Sequence, residues 1–473
     1  MMDALDCNVF NGDVLVGTLA QRADLTTLFT YDDEYKGPAL SRRLPKNGRP
    51  IVSAGLPPYF SNLISEGWLE EAQKSLINQN SAPSQFDMLA YFGRDCIGSL
   101  RIVPTQELPP TVVKDIHDLG ERLADRVHAL IPGIQPKVLA IKVPSGDYVV
   151  SSRLQDSTHI AKLPHDIKEL TRVLENEYVS TLLSQALLPE DKHSKLDLAS
   201  VVMPSRRESG SDHRISPALL IERFDRDPHG NRIQMYEFNQ LLDKDADDKY
   251  KGSYKDMADY IRSHAVPNPP DGIRTNVKDV EILFKRILAS MLIENGDTHL
   301  KNFALLRQGN EFRLSPNYDQ VSCAQYKSRK VDFSQMALSI GATRDIFIAQ
   351  LQPKHVVTLA QEFGLLSPNP TTEQLENLTK LVDDMGAVVK ALEPVVNGKK
   401  ASSGYPEIEK ARADEDLSEQ LSVIYAAMKK RWNGTFSKVG FFLAKKFTDH
   451  AKPTDRDARV AAVSLESDEH KIA

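Results

Sequence analysis

Cysteine is scarce: three among 473 residues, at Cys7, Cys96 and Cys323, none in a CxxC spacing. That excludes a disulfide framework and a zinc ribbon, and it points to a reducing compartment. No apolar run approaches the roughly 18 residues of a membrane-spanning helix. Basic residues are outnumbered, 59 Lys and Arg against 65 Asp and Glu, and the net charge of −6 rules out a strongly basic nucleic-acid coat. The opening Met1-Met2-Asp3-Ala4-Leu5-Asp6 is acidic where a secretory signal is basic, so a soluble cytoplasmic chain with no membrane partner is expected. No internal repeat is visible. What is present is ordinary globular composition, 41% apolar and 26% charged, with material for real cores. At roughly 150 residues per domain, the length suggests about three units.

The first unit, 1–125, opens with Asn11-Gly12 between two β-branched runs, a strong hairpin signal. Leu63, Ile64, Trp68, Leu69, Ala72 and Leu76 recur at helical spacing, a second helix-like stretch covers Phe86 to Phe92, and strand character resumes from Gly93 to Pro104. The second unit, 126–226, reads as a loop from Ile131 to Lys137, a hairpin over 138–150 and a strand over 158–163. A helix with Leu170, Val173, Leu174 and Glu177 on one face follows, and a strand over 218–224 closes the unit. The third unit, 227–452, is mostly helical. Val280, Leu283, Phe284, Ile287, Leu288, Met291 and Leu292 give it a deeply apolar helix, and polar stretches at 243–273 and 399–409 interrupt it. Residues 453–473 form a charged tail.

The segment from Ile293 to Leu306, followed by Phe312 to Asp319, carries the chemistry. A buried helix runs into a polar loop, and short strands follow. Asp297 and Asn302 stand in the D-x-x-x-x-N spacing of a kinase catalytic loop, with Asp319 beyond the second strand. Phosphoryl transfer needs these types: one carboxylate orients a hydroxyl and takes its proton, while an amide oxygen and a second carboxylate hold Mg²⁺ on the phosphates. The spacing alone is weak; its setting after a helix and before a strand and an aspartate strengthens it. A triphosphate also needs cations. Lys162 lies on a strand-like segment, and Glu177, a carboxylate on an apolar stripe, wants a partner because burial without one is costly. The two form a candidate strand-lysine and helix-glutamate pair. The Pro132–Lys137 loop offers backbone donors to phosphate, although two prolines remove two of them.

These residues carry a resemblance. The segments NVFNGDVLVGTL, YFSNLISEGWLEEA, FGRDCIGSLRIVP, PGIQPK, THIAKLP, NEY, IERFDR, GDTHLKN and SPNYD occur in the order found in the HipA family of bacterial serine/threonine kinases, the toxins of HipBA toxin–antitoxin pairs. The chain is similar to that family over most of its length. The resemblance implies an α+β, bilobal protein-kinase-like fold: a small N-terminal α/β subdomain and a β-rich nucleotide lobe, then a mostly helical C-terminal lobe. It implies ATP and Mg²⁺ as cofactors, Asp297 as catalytic base, Asn302 and Asp319 as Mg²⁺ ligands, and Lys162 on the phosphates. It places Glu222, Arg223 and Phe224 in a hinge against adenine, His299, Leu300, Lys301 and Tyr318 around the nucleotide, and Pro132, Gly133, Ile134, Gln135, Pro136 and Lys137 in a phosphate-binding loop. It further implies a HipB-like helix-turn-helix antitoxin as partner, contact with DNA only through that antitoxin, and a protein substrate, an aminoacyl-tRNA synthetase among those suggested.

One departure stands out. Many members carry an autophosphorylated serine three residues before the loop glycine; here the position is Leu130, after Ala129, so self-inhibition at that site is expected to be absent. Two other readings stay open: a pseudokinase or co-repressor scaffold acting through the antitoxin, and nucleotidyl transfer on the same fold. Lys162 also fits a solvated strand lysine, Glu222 and Phe224 fit structural roles, and His299 fits a histidine that orients its loop. Trp68 reads as core or interface. Lys327, Arg329 and Lys330 read as a solvated loop, placed where an activation segment would meet substrate.

Overall fold

A computed structural model describes residues 5–77, 82–109, 135–144, 148–150, 157–164, 170–188, 201–202, 218–269, 272–326, 334–399 and 404–448. The first sheet has the order β4-β3-β2-β1-β5 and is antiparallel throughout, from β1 (Leu5–Asn11), β2 (Val14–Gln21), β3 (Thr27–Tyr31), β4 (Ile51–Ser53) and β5 (Leu100–Pro104). Its Asn11-Gly12 turn puts Gly12 at φ 61°, a conformation that a β-carbon disfavours. Cys7 and Val9 alternate onto the buried face with Leu19, Phe29 and Ile102. They meet a helical layer of α1 (Pro58–Ser61), α2 (Gly67–Leu76) and α3 (Gln85–Phe92), the last opened by a capping box between Ser84 and Asp87. The helical spacing seen from Leu63 resolves into a turn at Leu63 and Ile64 followed by α2 from Gly67.

A second sheet has the order β7-β6-β8-β10-β9, from β6 (Lys137–Lys142), β7 (Tyr148–Val150), β8 (His159–Lys162), β9 (Val201–Val202) and β10 (Leu219–Glu222). Lys137 and Lys162 face each other across β6 and β8, so one face of the sheet presents both ammonium groups. On that same face lies α4 (Val173–Ala186), which carries Glu177 and packs Val173 and Leu174 on Leu219 and Ile221; Leu170 precedes the helix.

A third, three-stranded sheet of β11 (Met235–Glu237), β12 (Ala304–Gln308) and β13 (Glu311–Leu314) flanks the helical lobe. That lobe contains α5 (Phe238–Leu241), α6 (Tyr254–His264), α7 (Asp279–Leu292), α8 (Pro353–Glu362), α9 (Thr372–Val396), α10 (Pro406–Ala413), α11 (Glu415–Gly434) and α12 (Val439–Thr448). Leu283, Phe284, Ile287, Leu288, Met291 and Leu292 of α7 are fully buried, so the apolar period read from the sequence is the core of the lobe. The stretch 243–273, expected to interrupt the helices, instead contains α6. Tyr254, Met257, Ala258 and Ile261 form its buried stripe, and Lys255, Asp256, Asp259 and Arg262 on the other faces give it polar composition. Likewise α10 begins at Pro406, inside the second polar stretch. One continuous apolar core joins the N-terminal unit to the helical lobe, with Tyr59 and Tyr236 ring centroids 5.9 Å apart at the seam. Among the described residues no helix is long and apolar enough to cross a membrane.

Candidate active site

A cleft of about 220 Å³ lies where the second sheet, the loop after α7 and the N-terminal unit converge. From the sheet side, the Lys162 Nζ donates to Glu177 Oε1 at 2.5 Å and also to Asp319 Oδ1. The expected strand-lysine and helix-glutamate pair therefore forms, with Asp319 as a third member. Burial works against the Lys162 charge, but Asp319 and Glu177 outweigh it and hold the ammonium above the ordinary lysine range. Burial likewise opposes the Asp319 charge, yet Lys162 and Lys137 keep its carboxyl well below its usual range. Glu177 moves upward because it is buried, with Oε2 left without a hydrogen-bond partner and the Asp319 charge nearby. Lys137, next to Lys162 in register, is brought down to about 8 by burial. Asp319 holds a left-handed backbone, φ 54°, a cost for a non-glycine residue that turns it toward the lysine.

The loop after α7 supplies the opposite wall. The backbone N–H of Asp297 donates to Asn295 Oδ1 at 3.1 Å, and its backbone carbonyl accepts from Asn302 Nδ2 at 2.6 Å, so the two residues are locked together. The Tyr250 hydroxyl donates to Asp297 Oδ1 at 2.7 Å. Burial raises the Asp297 carboxyl to about 6 even though the Tyr250 bond and Lys249 oppose the shift. Asn302 spends its N–H on Asp297, which leaves its amide oxygen to accept. With the Asp319 carboxylate this makes an oxygen-only donor pair lining the same cleft, chemistry that suits Mg²⁺. Among the described residues no group of three or more His, Cys, Asp or Glu gathers to hold a metal, so the pair would need phosphate and water oxygens to complete a shell. Burial lowers His299 to about 3, so it is neutral, and its Nδ1 accepts the Lys301 N–H at 3.3 Å. Lys301 reaches Glu66 Oε1 at 2.5 Å, and the Tyr318 hydroxyl donates to the Lys301 carbonyl at 2.7 Å.

The remaining sequence candidates divide by position. Gln135, Glu222, Phe224 and Tyr318 line the cleft, Phe224 and Tyr318 with ring centroids 5.6 Å apart. Arg223 also borders it, but its guanidinium turns into a buried cluster. It bonds Asp225, Asp95, the Ser157 hydroxyl at 2.7 Å and the Cys96 carbonyl at 3.0 Å, and Arg226 and Arg232 complete the set around Asp95. Leu300 is fully buried in the apolar core, and its N–H donates to the Lys249 carbonyl at 3.1 Å. Pro136 serves the sheet, its carbonyl accepting from Leu163 N at 2.7 Å. Pro132, Gly133 and Ile134, with Ala129 and Leu130, lie outside the described residues, as do the Trp68 side chain and Lys327, Arg329 and Lys330.

Residues 129–392 match the HipA-like C-terminal domain, and residues 7–103 match the HipA N-terminal domain. The chain belongs to the HipA family. This HipA-family chain is 28% identical over 377 residues to the Sinorhizobium fredii protein named "Putative kinase Y4dM", covering 73% of this chain and 86% of that relative. It is 27% identical over 424 residues to "Putative kinase Y4mE" of the same organism, covering 82% and 91%. Among solved structures it resembles a chain of the Shewanella oneidensis MR-1 toxin antitoxin system HipA, HipB and its operator DNA complex, with a TM-score of 0.63 and 20% identity, covering 92% of this chain and 99% of that one. At that identity the likeness speaks to the fold, the α+β, bilobal, kinase-like arrangement of HipA.

Three charged cleft residues of this HipA-family chain, Glu66, Glu237 and Lys249, have no counterpart among the sequence candidates, nor does Tyr250, which bonds Asp297. Glu66 carried a signal, since it sits in the YFSNLISEGWLEEA segment, but no chemistry could be assigned to it there. The others meet their partners only through the fold. Glu237 is buried, with Oε2 unbonded and 3.7 Å from Lys301, and burial raises its carboxyl to about 7.

Proposed function

We propose that this HipA-family chain is an ATP- and Mg²⁺-dependent serine/threonine protein kinase, the toxin of a toxin–antitoxin pair. The observation that carries the reading is one cleft in which Lys162 holds Glu177 and Asp319 together while Asp297, locked to Asn302, faces the same space. Protonated Lys162, with Lys137 beside it, presents fixed positive charge to a triphosphate. The Asp297 carboxylate takes the proton of a serine or threonine hydroxyl as that oxygen attacks the γ-phosphorus; the bond to the bridging β-oxygen breaks and ADP leaves. Neutral His299 keeps the loop in shape through its Nδ1 and carries no proton to the reaction. Asn302 and Asp319 would hold Mg²⁺, which when bound neutralises charge on the phosphoryl oxygens. Glu222 and Phe224 border the side of the cleft where an adenine would lie, and the Arg223 cluster stiffens that strand end from behind.

The relative from Shewanella was solved with HipB and operator DNA, which supports a HipB-like helix-turn-helix partner for this chain. With a net charge of −6, phosphate contacts to DNA fall to that partner. Expression of wild type against Asp297→Ala tests the proposal: growth arrest and new phosphoserine or phosphothreonine peptides are expected with wild type only. Equal arrest by both would contradict catalysis as its cause. The direct Lys162–Asp319 ion pair favours one second reading, a nucleotide-binding co-repressor scaffold in which Asp319 is withheld from the cation. Mg·ATP binding without transfer to any protein would select it.

A further inference from the structure

Tyr250 stands in the stretch whose composition read as polar filler, yet it and Lys249 are fastened to the catalytic loop by several independent contacts. The Tyr250 hydroxyl donates to Asp297 Oδ1 at 2.7 Å, and its ring meets the His299 ring edge-on, centroids 5.0 Å apart. The Lys249 carbonyl accepts from Leu300 N at 3.1 Å, and the Lys249 ammonium lies 5.6 Å from the Tyr250 ring centroid. The other end of this corner is held from the N-terminal unit. Glu66 places Oε2 2.6 Å from Lys249 Nζ and Oε1 2.5 Å from Lys301 Nζ, and the Asn62 carbonyl takes a further bond from Lys301 at 3.2 Å. Both lysines are buried, so removing the carboxylate between them takes the counter-charge from Lys249 and leaves Lys301 with only the longer Glu237 contact at 3.7 Å. Tyr250 itself remains 43% exposed, so core burial does not account for its seat on Asp297.

We propose that the Lys249–Tyr250 corner is a clamp on the catalytic base: Tyr250 fixes the Asp297 carboxylate by one oxygen, leaving the other for the substrate hydroxyl, and Glu66 holds the clamp shut from the N-terminal unit. Tyr250 and Glu66 are then positioning residues, and the inference rests on the reading of Asp297 as base. A carboxylate free to rotate spends less time in the near-attack geometry, a loss that appears in kcat rather than in nucleotide binding. The N-terminal unit is on this account part of the catalytic apparatus.

The test uses the full chain, ADP production from Mg·ATP with host-lysate protein as acceptor, and hydrogen exchange of the peptide spanning 296–301. Tyr250→Phe, which keeps the ring on His299, is expected to lower kcat about tenfold to a hundredfold, with KM for Mg·ATP and Tm unchanged. Glu66→Gln is expected to lower kcat likewise, and the double variant to lose no more than the larger single loss, because both act through one loop. The 296–301 peptide should exchange faster in both variants than in wild type or in Lys251→Ala, an exposed neighbouring control. An unchanged kcat in Tyr250→Phe, losses that multiply, or unaltered exchange would overturn the clamp. A wild type that makes no ADP would remove the kinase reading instead, and the exchange comparison would still decide the clamp.

Discussion

Asp297 and Asp319 bring the same side chain into the same cleft and are pushed in opposite directions, the first up to about 6 by burial, the second well below the carboxylate range by Lys162 and Lys137. Environment thus divides the two carboxylates, and on the proposed reading Asp297 is a base poised near neutrality while Asp319 stays an anion. The sign of the pH dependence follows. A base works deprotonated, so raising its pKa makes the active form scarce sooner as pH falls. The kcat/KM profile should drop about tenfold per pH unit below roughly pH 6, whereas an unshifted carboxyl would hold the rate to about pH 4. A profile flat down to pH 4.5 would contradict the burial of Asp297. The candidate site was half legible: the D-x-x-x-x-N spacing pointed to Asp297 and Asn302, which the fold brings into one cleft with Asp319, but the difference between the two aspartates depends on neighbours that no spacing reveals. Glu66 meets Lys301 across a separation of 235 residues, and Tyr250 meets Asp297 across 47.

At the scale of elements, two segments first noticed as family-like strings prove to be halves of one lock. The turn before β5 offers Asp95, the Cys96 carbonyl and Gly98, and the exit of β10 answers with Arg223, Asp225 and Arg226. The Gly98 N–H donates to Asp225 Oδ2 at 2.6 Å, and the Arg223 side chain is fully buried among acceptors. Truncating one partner of such a cluster leaves uncompensated charge behind. Arg223→Met should therefore cost about 3–5 kcal/mol in a denaturant titration, and a loss under about 1 kcal/mol would show the cluster to be dispensable. Helix α7 was legible because its apolar period is unbroken, and the first hairpin because Asn-Gly dictates its turn. Helix α6 was not, because four charged residues surround a four-residue apolar stripe and composition averages the two faces together.

Over the whole molecule, the length arithmetic suggested about three units, and the fold binds them more closely than that count implies. The N-terminal unit shares its apolar core with the helical lobe and sends Glu66 into the cleft. Helix α11 ties the two sides of the site together. Asp416 and Glu419 pair with Arg172 at the start of α4, the helix that bears Glu177, with the Asp416 contact at 2.5 Å. At its far end Arg431 reaches Glu294 at 2.7 Å, and the Glu294 carbonyl accepts from Cys323 N at 2.9 Å. One helix so spans from the Glu177 helix to the loop of Asp297 and the segment after Asp319. On the proposed reading, this assembled cleft transfers the γ-phosphoryl group of ATP with Asp297 as base. That reading is tested most directly by incubating the purified chain and host protein with Mg·[γ-³²P]ATP, wild type beside Asp297→Ala. Label on serine or threonine with wild type, and a loss of about a hundredfold or more with the variant, is the predicted result; equal labelling by the two proteins would contradict it.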